Sequence, residues 1–380
     1  MPENRKILIV TTEFPPGPGG IGNHAYSLVK ALSAKGFNVY VVTNADYATE
    51  EEVETFDASL NDTIQVKRVY RTNRFIYLKR LWHIAGILKK EGIKVVILSG
   101  KFSLWAGAIL KLMGYRFRSI AVLHGYEVQL ANKFYKRFTD FCISKADFLV
   151  PVSGFTYGLL TGQLQRKRYK IIENGIDMDE MYALKGNQDK NFSLKGAPAL
   201  LTVGNVTPRK GQQRVIKALP EIIKRFPGVH YHIVGLPTYK DEFNALAIKL
   251  GVEKYVTFHG RLPQRSDLAL FYQKAGCFML LSENQPSGDV EGFGIVILEA
   301  NVFGLPAVGA KGCGIEDAIK DDFNGYLVDG DNATDITEKL KKVLENRDRL
   351  SVTSVEWAKQ HSWNSIVEKY IEIVDDLLGR

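Results

Sequence analysis

The stretch KILIVTTEFPPGPGGIGNHAYSLVKALSAKGFNVYVVT, residues 6–43, combines two apolar runs with a glycine-rich loop and a helical pattern. The runs Lys6–Thr11 and Phe37–Thr43 are almost continuously apolar, which is typical of strands that are covered on both faces. The helical pattern over Ile21–Lys35 ends at Gly36, the position of a C-terminal cap. A strand–helix–strand unit of this kind predicts a parallel α/β sheet.

This alternation continues along the chain and is interrupted once, by a polar stretch at residues 174–198. We therefore expect two Rossmann-like, doubly wound parallel-sheet domains, residues 1–185 and 186–363, and a C-terminal helix at 364–380 that packs back on the first domain. Ligands of open parallel sheets bind beyond the carboxyl ends of the strands, so the site is expected in a cleft across which the domains face each other. Further strands are predicted at 94–99, 119–123, 148–152, 169–172, 199–203, 229–234, 256–259, 277–281, 305–309 and 326–328.

The composition is ordinary for a soluble globular protein, with 45% hydrophobic and 24% charged residues among 380. No run approaches the roughly 18 consecutive apolar residues of a membrane span, and the first residues, MPENRKILIVTTEFPP, lack the pattern of a signal peptide. The three cysteines are scattered, which argues against a disulfide framework or a zinc site. We expect a reduced, cytoplasmic protein without structural metal.

The net charge of +8 is concentrated in the first half of the chain. Residues 1–185 contain 26 Lys and Arg against 17 Asp and Glu, whereas the remainder contains 24 against 25. An anionic partner such as nucleic acid, a phosphorylated substrate or an acidic lipid would explain this asymmetry, and so would a basic surface without a partner. Because no nucleic-acid-binding motif is present, we expect no nucleic-acid partner.

Two basic, aromatic-rich segments, Arg71–Lys90 and Lys133–Phe138, contribute much of this charge. In the longer segment apolar residues recur at helical spacing, among them Tyr77, Leu78 and Trp82. Basic amphipathic segments suit an anionic membrane surface, which would make the protein peripheral at the inner face of the membrane. The alternative is a helix that packs its apolar side on the core and exposes its charges to water.

The glycines Gly17, Gly19 and Gly22 have the G-x-G-x-x-G spacing of a dinucleotide-binding turn. In such a turn the glycines follow the strand directly, but here residues 12–16 come between, and the tip of the second strand lacks an acidic residue. An NAD-dependent oxidoreductase is therefore a less favoured interpretation. The loop is instead expected to bring its glycines, among them Gly20, to the mouth of the cleft.

The most specific stretch is GDVEGFGIVILEANVFGLP, residues 288–306, which follows a predicted strand. A helix is expected to begin near Gly294 and to end at Gly304. Its first amides would form an anion site with about half a unit of positive charge. Glu291 and Glu299 are eight residues apart, about 12 Å along a helix, so they would contact opposite ends of an extended ligand with phosphates between them.

Adjacent cations, Arg209 and Lys210, lie in VGNVTPRKG at 203–211, where a strand leads into a helix and a phosphate would bind. Two further strand ends contain glycine turns suited to backbone contacts with a nucleobase; the turn at 258–263 includes Arg261 and Leu262. Surface Arg-Lys pairs and glycine turns are common, so each of these signals is weak alone.

Two histidines, His24 and His124, each follow a predicted strand, in GGIGNH and LHGYE, so either is a candidate to face the cleft. The alternative for a lone histidine is a structural role. Glu127 is a secondary candidate beside His124. The D-x-D patterns at 177–179 and 329–331 are short polar matches, so we expect no metal site.

Residues 291–299, E-G-F-G-I-V-I-L-E, resemble the Glu–seven residues–Glu motif of the retaining glycosyltransferases of family 4, which have the two-domain GT-B fold. The resemblance covers essentially the whole chain, and the combination of its pieces is specific to this superfamily. The other matching pieces are the glycine-rich first loop, LHGYE at 123–127, NGID at 174–177, PRKG at 208–211, GLP at 304–306 and HSW at 361–363.

The resemblance implies a role for each matching residue. Glu291 would contact hydroxyls of the donor sugar, Glu299 would hold the ribose, and Arg209 with Lys210 would neutralise the departing phosphate. The residues implied in catalysis are His124, Arg209, Lys210 and Glu291. The residues implied in binding the donor are Gly19, Gly20, Gly292, Phe293, Gly294, Ile295, Val296, Glu299, Arg261 and Leu262.

One position departs from the family pattern. Many members have Gly-Arg where this chain has Gly204-Asn205. Arg209 is the candidate to replace that arginine.

We therefore expect a retaining, metal-independent hexosyltransferase. It would move a sugar from a UDP- or GDP-hexose to a hydroxyl of a glycan or lipid-linked acceptor, in the synthesis of a cell-surface polysaccharide or glycolipid. No cofactor is implied beyond the nucleotide-sugar donor. The alternatives are another nucleotide-sugar-binding GT-B protein, either epimerase-like or a non-catalytic sensor, and the less favoured oxidoreductase.

Overall fold

The computed structural model describes residues 5–17, 19–45, 48–70, 76–185 and 192–379. The chain divides into two compact units. Unit 1 comprises Met1–Gly175 and Trp363–Arg380, and unit 2 comprises Ile176–Ser362. The structure divides the two units after Gly175 and after Ser362. The sequence predicted these boundaries after residues 185 and 363.

Unit 1 is built on one parallel sheet of six strands: β1 Lys6–Thr11, β2 Asn38–Asn44, β3 Ile64–Val69, β4 Val95–Ser99, β5 Arg118–Leu123 and β6 Phe148–Pro151. Their order is β3-β2-β1-β4-β5-β6, so β1 lies inside the sheet between β2 and β4. From Ile7 to Thr11 every residue of β1 is buried, as its apolar composition predicts. The prediction of a parallel α/β sheet is confirmed.

One strand prediction in this unit is wrong, and one strand was not predicted. Residues 169–172 form one isolated bridge, between Tyr169 and Leu149, and not a strand. The strand β3, IQVKRV, was missed in the sequence because its middle residues are polar and partly exposed. It lies at the edge of the sheet, where only one neighbour covers the strand and polar residues are tolerated.

The helices of unit 1 before its last segment are α1 Gly20–Ala34, α2 Glu50–Ala58, α3 Ile76–Glu91, α4 Lys101–Leu112, α5 Lys133–Ser144 and α6 Gly154–Gly158. The chain turns out of α1 at Gly36, whose φ of 83° is the left-handed conformation that favours glycine. α3 contains most of the basic segment Arg71–Lys90; residues 71–75 lie outside the described residues.

Unit 2 repeats this architecture with the strands β7 Ala199–Val203, β8 His230–Val234, β9 Val256–Gly260, β10 Cys277–Leu280, β11 Ala307–Ala310 and β12 Gly325–Val328. Its helices are α7 Met178–Lys185, α8 Gln212–Arg225, α9 Lys240–Lys249, α10 Arg265–Lys274, α11 Ile295–Val302, α12 Ile315–Ala318, α13 Ala333–Glu345 and α14 Arg347–Gln360. The strand order is β12-β11-β10-β7-β8-β9. Because β7, β10 and β11 are consecutive in a parallel sheet, the loops that follow them meet at one edge.

The last helix, α15 Trp363–Leu378, belongs to unit 1 and packs on α1. The ring of His24 lies 5.2 Å from that of Trp363 and 6.3 Å from that of Tyr370, measured between ring centroids. Tyr370 is fully buried in this contact. The end of the chain thus covers the start of α1.

Candidate active site

The two cations of the PRKG segment lie in a tight turn directly after β7. Pro208–Lys210 form one 3₁₀ turn, and Gly211 then starts α8 with a φ of 73°. A Cβ atom at Gly211 would lie 1.8 Å from the carbonyl oxygen of Leu281, so only glycine allows the turn to approach the end of β10 this closely. This approach brings Arg209 and Lys210 to the loop that carries Glu291.

Glu291 is bonded to both cations. Its Oε2 atom accepts hydrogen bonds from Arg209 Nη1 at 2.5 Å and from Lys210 Nζ at 2.6 Å. Arg209 also donates from Nε to Asp289 Oδ2 at 3.1 Å. Charge-assisted hydrogen bonds of this kind are about twice as strong as neutral ones. The four side chains form an alternating network, Asp289–Arg209–Glu291–Lys210.

The network keeps a buried carboxylate charged. Glu291 is 8% exposed, and burial alone would raise its pKa, but the charges of Lys210 and Arg209 outweigh burial and lower it. Burial would likewise lower the pKa of the Arg209 guanidinium, but Glu291 and Asp289 raise it on balance. Fixed charges of both signs therefore stand at this edge of the sheet.

The helix predicted after this loop is α11. Gly294 precedes it with a φ of 90°, and the first hydrogen bond of the turn runs from the Ile297 amide to the Gly294 carbonyl at 2.9 Å. The first amides of a helix, here including Ile295 and Val296, have no partner within the helix and favour an anion. Phe293, in the loop just before these amides, is buried and anchors that loop.

Glu299 lies about one turn along α11 from Ile295, with its side chain 16% exposed. Tyr272 donates its hydroxyl hydrogen to Glu299 Oε2 at 2.9 Å, and Arg265 Nη2 lies 3.7 Å from Oε1. Burial first, and Glu299 second, raise the pKa of Tyr272 well above its usual value, so its hydroxyl stays a donor. Arg265 also pairs with Glu180 of α7.

The structure places Arg261 and Leu262 elsewhere on unit 2. They follow Gly260 at the end of β9, the edge strand, whereas Arg209 follows β7 and Glu291 follows β10. Arg261 is exposed and Leu262 is half-buried. Their role toward a nucleobase stays a prediction.

Unit 1 places His124 at the carboxyl end of β5. Its Nε2 atom is 2.9 Å from the Ser99 hydroxyl at the end of β4, and its ring is 5.0 Å from that of His24. The backbone amide of His124 donates to Glu127 Oε2 at 3.0 Å. Burial lowers the pKa of His124 to about 4, so its ring is neutral at pH 7.

The two other candidates in unit 1, Glu127 and His24, are more deeply buried than a side chain that contacts a ligand at the surface would be. Glu127 is fully buried, and desolvation raises its pKa to about 7. His24 is 2% exposed and packs against α15, and burial lowers its pKa well below the usual value. The structure therefore gives His24 a packing role.

The glycine-rich loop of unit 1 is held at several points. A Cβ atom at Gly19 would lie 1.9 Å from Glu13 Oε2, so the Glu13 side chain occupies the start of α1. Burial raises the pKa of Glu13, and a hydrogen bond from the Gly22 amide opposes this shift. Arg68 Nη2 donates to the Pro15 carbonyl at 2.5 Å. Gly20 is exposed at the helix start.

Two family models match the chain and together span most of it. The model of glycosyl transferases group 1 matches residues 185–365, and that of glycosyltransferase family 4 matches residues 18–180. This chain belongs to glycosyltransferase family 4. The family predicted from the Glu291–Glu299 motif is confirmed.

Curated relatives align over more than nine-tenths of this glycosyltransferase. The GDP-mannose-dependent α-(1-6)-phosphatidylinositol monomannoside mannosyltransferase of Mycobacterium tuberculosis is 25% identical, with 97% of this chain and 98% of the relative covered. The GDP-mannose-dependent monoacylated α-(1-6)-phosphatidylinositol monomannoside mannosyltransferase of Corynebacterium glutamicum is 26% identical, with 91% and 90% covered.

Solved structures confirm the GT-B fold of the glycosyltransferase. A sucrose-phosphate synthase from Thermosynechococcus elongatus superposes with a TM-score of 0.77 at 18% identity, over 99% of this chain and all of the other. Anabaena HepE in complex with UDP and glucose superposes with a TM-score of 0.74 at 19% identity, over 98% of this chain and all of the other.

Two residues that contact the predicted site of the glycosyltransferase were missed in the sequence. Asp289 and Tyr272 contact the predicted residues Arg209 and Glu299 from positions 80 and 27 residues away. Asp289 stands two residues before Glu291, and this acidic pair was the signal that could have identified it.

No helix in the described ranges has both the length and the apolar character to cross a bilayer. The same ranges contain no group of three or more His, Cys, Asp or Glu side chains placed to hold a metal ion.

Proposed function

We propose that this glycosyltransferase moves a hexosyl group from a nucleoside-diphosphate sugar to a hydroxyl of a glycan or lipid-linked acceptor, with retention at the anomeric carbon and without a metal ion. The observation that carries the proposal is the network of Arg209, Lys210 and Glu291 at the start of α11. Cations and helix amides favour a diphosphate there. Glu299, on the same helix, is the candidate for the ribose hydroxyls.

The proposed reaction exchanges one bond at the anomeric carbon. The bond from this carbon to the diphosphate oxygen breaks, and a bond to the acceptor oxygen forms on the same face. The acceptor proton goes to the departing phosphate oxygen, and the nucleoside diphosphate leaves. Arg209, Lys210 and the α11 amides would stabilise the charge that develops on the leaving group, which is often the largest contribution to catalysis.

We assign GDP-mannose as the first donor and a glycolipid as the first acceptor to test. The support is the activity of the relatives from Mycobacterium tuberculosis and Corynebacterium glutamicum, which are GDP-mannose-dependent phosphatidylinositol monomannoside mannosyltransferases. HepE, solved with UDP and glucose, makes UDP-glucose the competing donor.

A lipid-linked acceptor fits the surface of unit 1. In α3 the core side consists of Ile76, Arg80, Ile84 and Leu88, so Leu78 and Trp82 remain 62% and 71% exposed. α5 exposes Phe134 at 74%, beside basic residues of its first turns. Exposed aromatic residues among lysines and arginines suit the interface of an anionic bilayer. We place the protein at the inner face of the membrane as a peripheral protein.

The membrane proposal is tested by co-sedimentation with vesicles. We expect pelleting with vesicles that contain phosphatidylglycerol and none with phosphatidylcholine alone. The double variant Trp82→Ser with Phe134→Ser should stay in the supernatant. If the parent chain sediments with neither kind of vesicle, the proposal that the protein binds a membrane is wrong.

The transfer proposal is tested by offering UDP-, GDP- and ADP-sugars and measuring thermal stabilisation and nucleotide release with a glycolipid acceptor. The correct donor should stabilise the protein by about 2.7 kcal/mol at a hundred times its Kd and should release nucleotide only when acceptor is present. Glu299→Ala should weaken nucleoside-diphosphate binding. Donor binding without nucleotide release with any acceptor would identify a non-catalytic sensor instead.

A further inference from the structure

The loop between β11 and α12, residues 311–314, contacts the backbone of the predicted catalytic loop. The Gly314 amide donates a hydrogen bond to the Glu291 carbonyl at 2.9 Å. A Cβ atom at Gly314 would lie 2.1 Å from the Gly292 carbonyl oxygen and 2.7 Å from that of Glu291. Only a residue without a side chain fits against this peptide.

The need for glycine at this position is steric and not conformational. Gly314 has a φ of −61° and a ψ of −7°, which any residue can adopt. The missing Cβ therefore serves the close approach to residues 291 and 292, and not the local turn.

The loop is itself fixed from two sides. Asn284 Nδ2 donates to the Gly312 carbonyl at 2.8 Å, and the Gly312 amide donates to Glu316 Oε1. Cys313, between the two glycines, is buried and 3.6 Å from the Ala310 carbonyl. A loop held this way is a firm support for the peptide that it contacts.

The contact determines where the next amide points. In a trans peptide the C=O and N–H groups point in opposite directions. Because the Glu291 carbonyl points to Gly314, the N–H of Gly292 points away from Gly314. The same contact sets the direction in which the Glu291 side chain leaves the backbone toward Arg209 and Lys210.

We infer that Gly314 is a positioning residue for sugar transfer: its amide and its missing side chain hold the Glu291–Gly292 peptide in the orientation that the donor sugar requires. The inference rests on the proposed function, because it assumes that Glu291 and the Gly292 amide contact the donor sugar. Gly314 would not touch the substrate itself; it would act through the backbone of Glu291, which is proposed to contact the donor sugar.

Gly314→Ala tests the inference. We expect kcat to fall roughly ten- to hundredfold, since displacements of about 1 Å at a reacting group have effects of this size. The Kd for GDP should stay close to the parent value, because Gly314 contacts the 291–292 peptide, whereas Glu299, the proposed ribose ligand, is held by Tyr272 of α10. The measurements are steady-state kinetics with the donor that the nucleotide-sugar test identifies, GDP binding by calorimetry and a thermal unfolding curve.

Gly309→Ala is the matched control. Its Cβ would crowd Ile315 and Ile319, each at 2.5 Å, and would disturb the packing next to α12 without touching the 291–292 peptide. It should lower the melting temperature and keep the parent kcat. If it lowers kcat as much as Gly314→Ala does, the effect is loss of packing and the inference is wrong.

Asn284→Ala covers the case in which Gly314→Ala does not fold. Asn284 is exposed, so its removal spares the core and only frees the Gly312 carbonyl. We expect a severalfold loss of kcat with GDP binding retained. A folded Gly314→Ala or Asn284→Ala with the parent kcat would overturn the inference, whereas a parent chain that transfers no sugar would overturn the proposed function.

Discussion

The two units of this glycosyltransferase each place a buried glutamate at the carboxyl edge of their sheet, in opposite surroundings. In unit 2, Glu291 accepts hydrogen bonds from Arg209 and Lys210. In unit 1, Glu127 accepts one from the His124 amide, and the nearby Glu13 adds a like charge. Burial raises the pKa of Glu127 to about 7, while the cations outweigh burial at Glu291 and lower its pKa.

Burial therefore decides the charge at the edge of unit 1, whereas at the edge of unit 2 the two neighbouring cations outweigh it. Unit 2 keeps permanent charges of both signs, which suit a diphosphate and its leaving group. Unit 1 keeps its imidazoles neutral, because burial lowers the pKa of both His24 and His124. The uncharged ring of His124, which is hydrogen-bonded to Ser99, suits neutral partners such as hydroxyl groups. Substitutions in each unit test this contrast.

The largest effect is expected when the cations of unit 2 are removed. Arg209→Ala combined with Lys210→Ala should lower turnover by at least about 10³-fold, because loss of even one donor to a developing charge costs 10²- to 10³-fold. The measurement is kcat with the identified donor, with circular dichroism to check the fold. Lys224→Ala removes an exposed cation of α8 and is the control. Turnover near the parent level in the double variant would contradict the leaving-group role.

The second effect is on stability and distinguishes the two glutamates. A raised pKa in the folded state contributes stability that is fully present below the unfolded value of about 4.5 and is lost as the pH rises through about 7. Glu127→Gln keeps an acceptor for the His124 amide and cannot ionise. Its unfolding free energy, measured by urea titration, should gain up to about 3 kcal/mol on the parent between pH 5 and pH 8.

Glu291→Gln is the matched control with the opposite sign. The pKa of Glu291 is lowered in the folded state, so its contribution is present above the unfolded pKa and is lost as the pH falls through the folded value. The variant should therefore lose stability relative to the parent as the pH rises toward 4.5, with no further change between pH 5 and pH 8. A Glu291→Gln profile that parallels that of Glu127→Gln between pH 5 and pH 8 would show that Arg209 and Lys210 do not set the charge of Glu291.

The strands of both sheets show why much of the fold was predictable from sequence. β1 and β7 have the predicted bounds, because a strand covered on both faces must be apolar along its length. The edge strand β3 escaped detection because IQVKRV has a partly exposed, polar middle. α3 was predicted as a helix, but the side that packs on the core includes the buried Arg80, which composition alone assigns to water.

The candidate site was predictable where the type of a residue indicates its chemical role. Arg209, Lys210 and Glu291 stand out by type and by their place after strands. Their mutual hydrogen bonds were not predictable, because they depend on β7 and β10 lying side by side. Gly314 was missed for the same reason: its role is a close approach across neighbouring strands, and a glycine carries no chemical signal of its own.

The smallest effect concerns a set of histidines in unit 2 that lies away from Glu291. His232 Nε2 is 2.9 Å from the Lys195 carbonyl, to which it donates, so in the neutral ring Nδ1 accepts from His259 Nε2 at 3.0 Å. The ring of His230 lies 4.8 Å from that of His232. A proton added to Nδ1 of His232 would require His259 to move its own proton away from Nε2, so acid disturbs this arrangement.

Acid should therefore destabilise unit 2 through these rings. Burial lowers the pKa of His230 and His259 to about 4, so their contribution is present above the unfolded value of 6.5 and is lost as the pH falls toward 4. His259→Gln should reduce the loss of unfolding free energy between pH 7 and pH 5 by about 1 kcal/mol, after allowance for its partial exposure. Urea titrations at the two pH values measure this difference. An unchanged loss in the variant would mean that the acid sensitivity does not come from His259 but from other buried histidines, such as His230, His24 and His124.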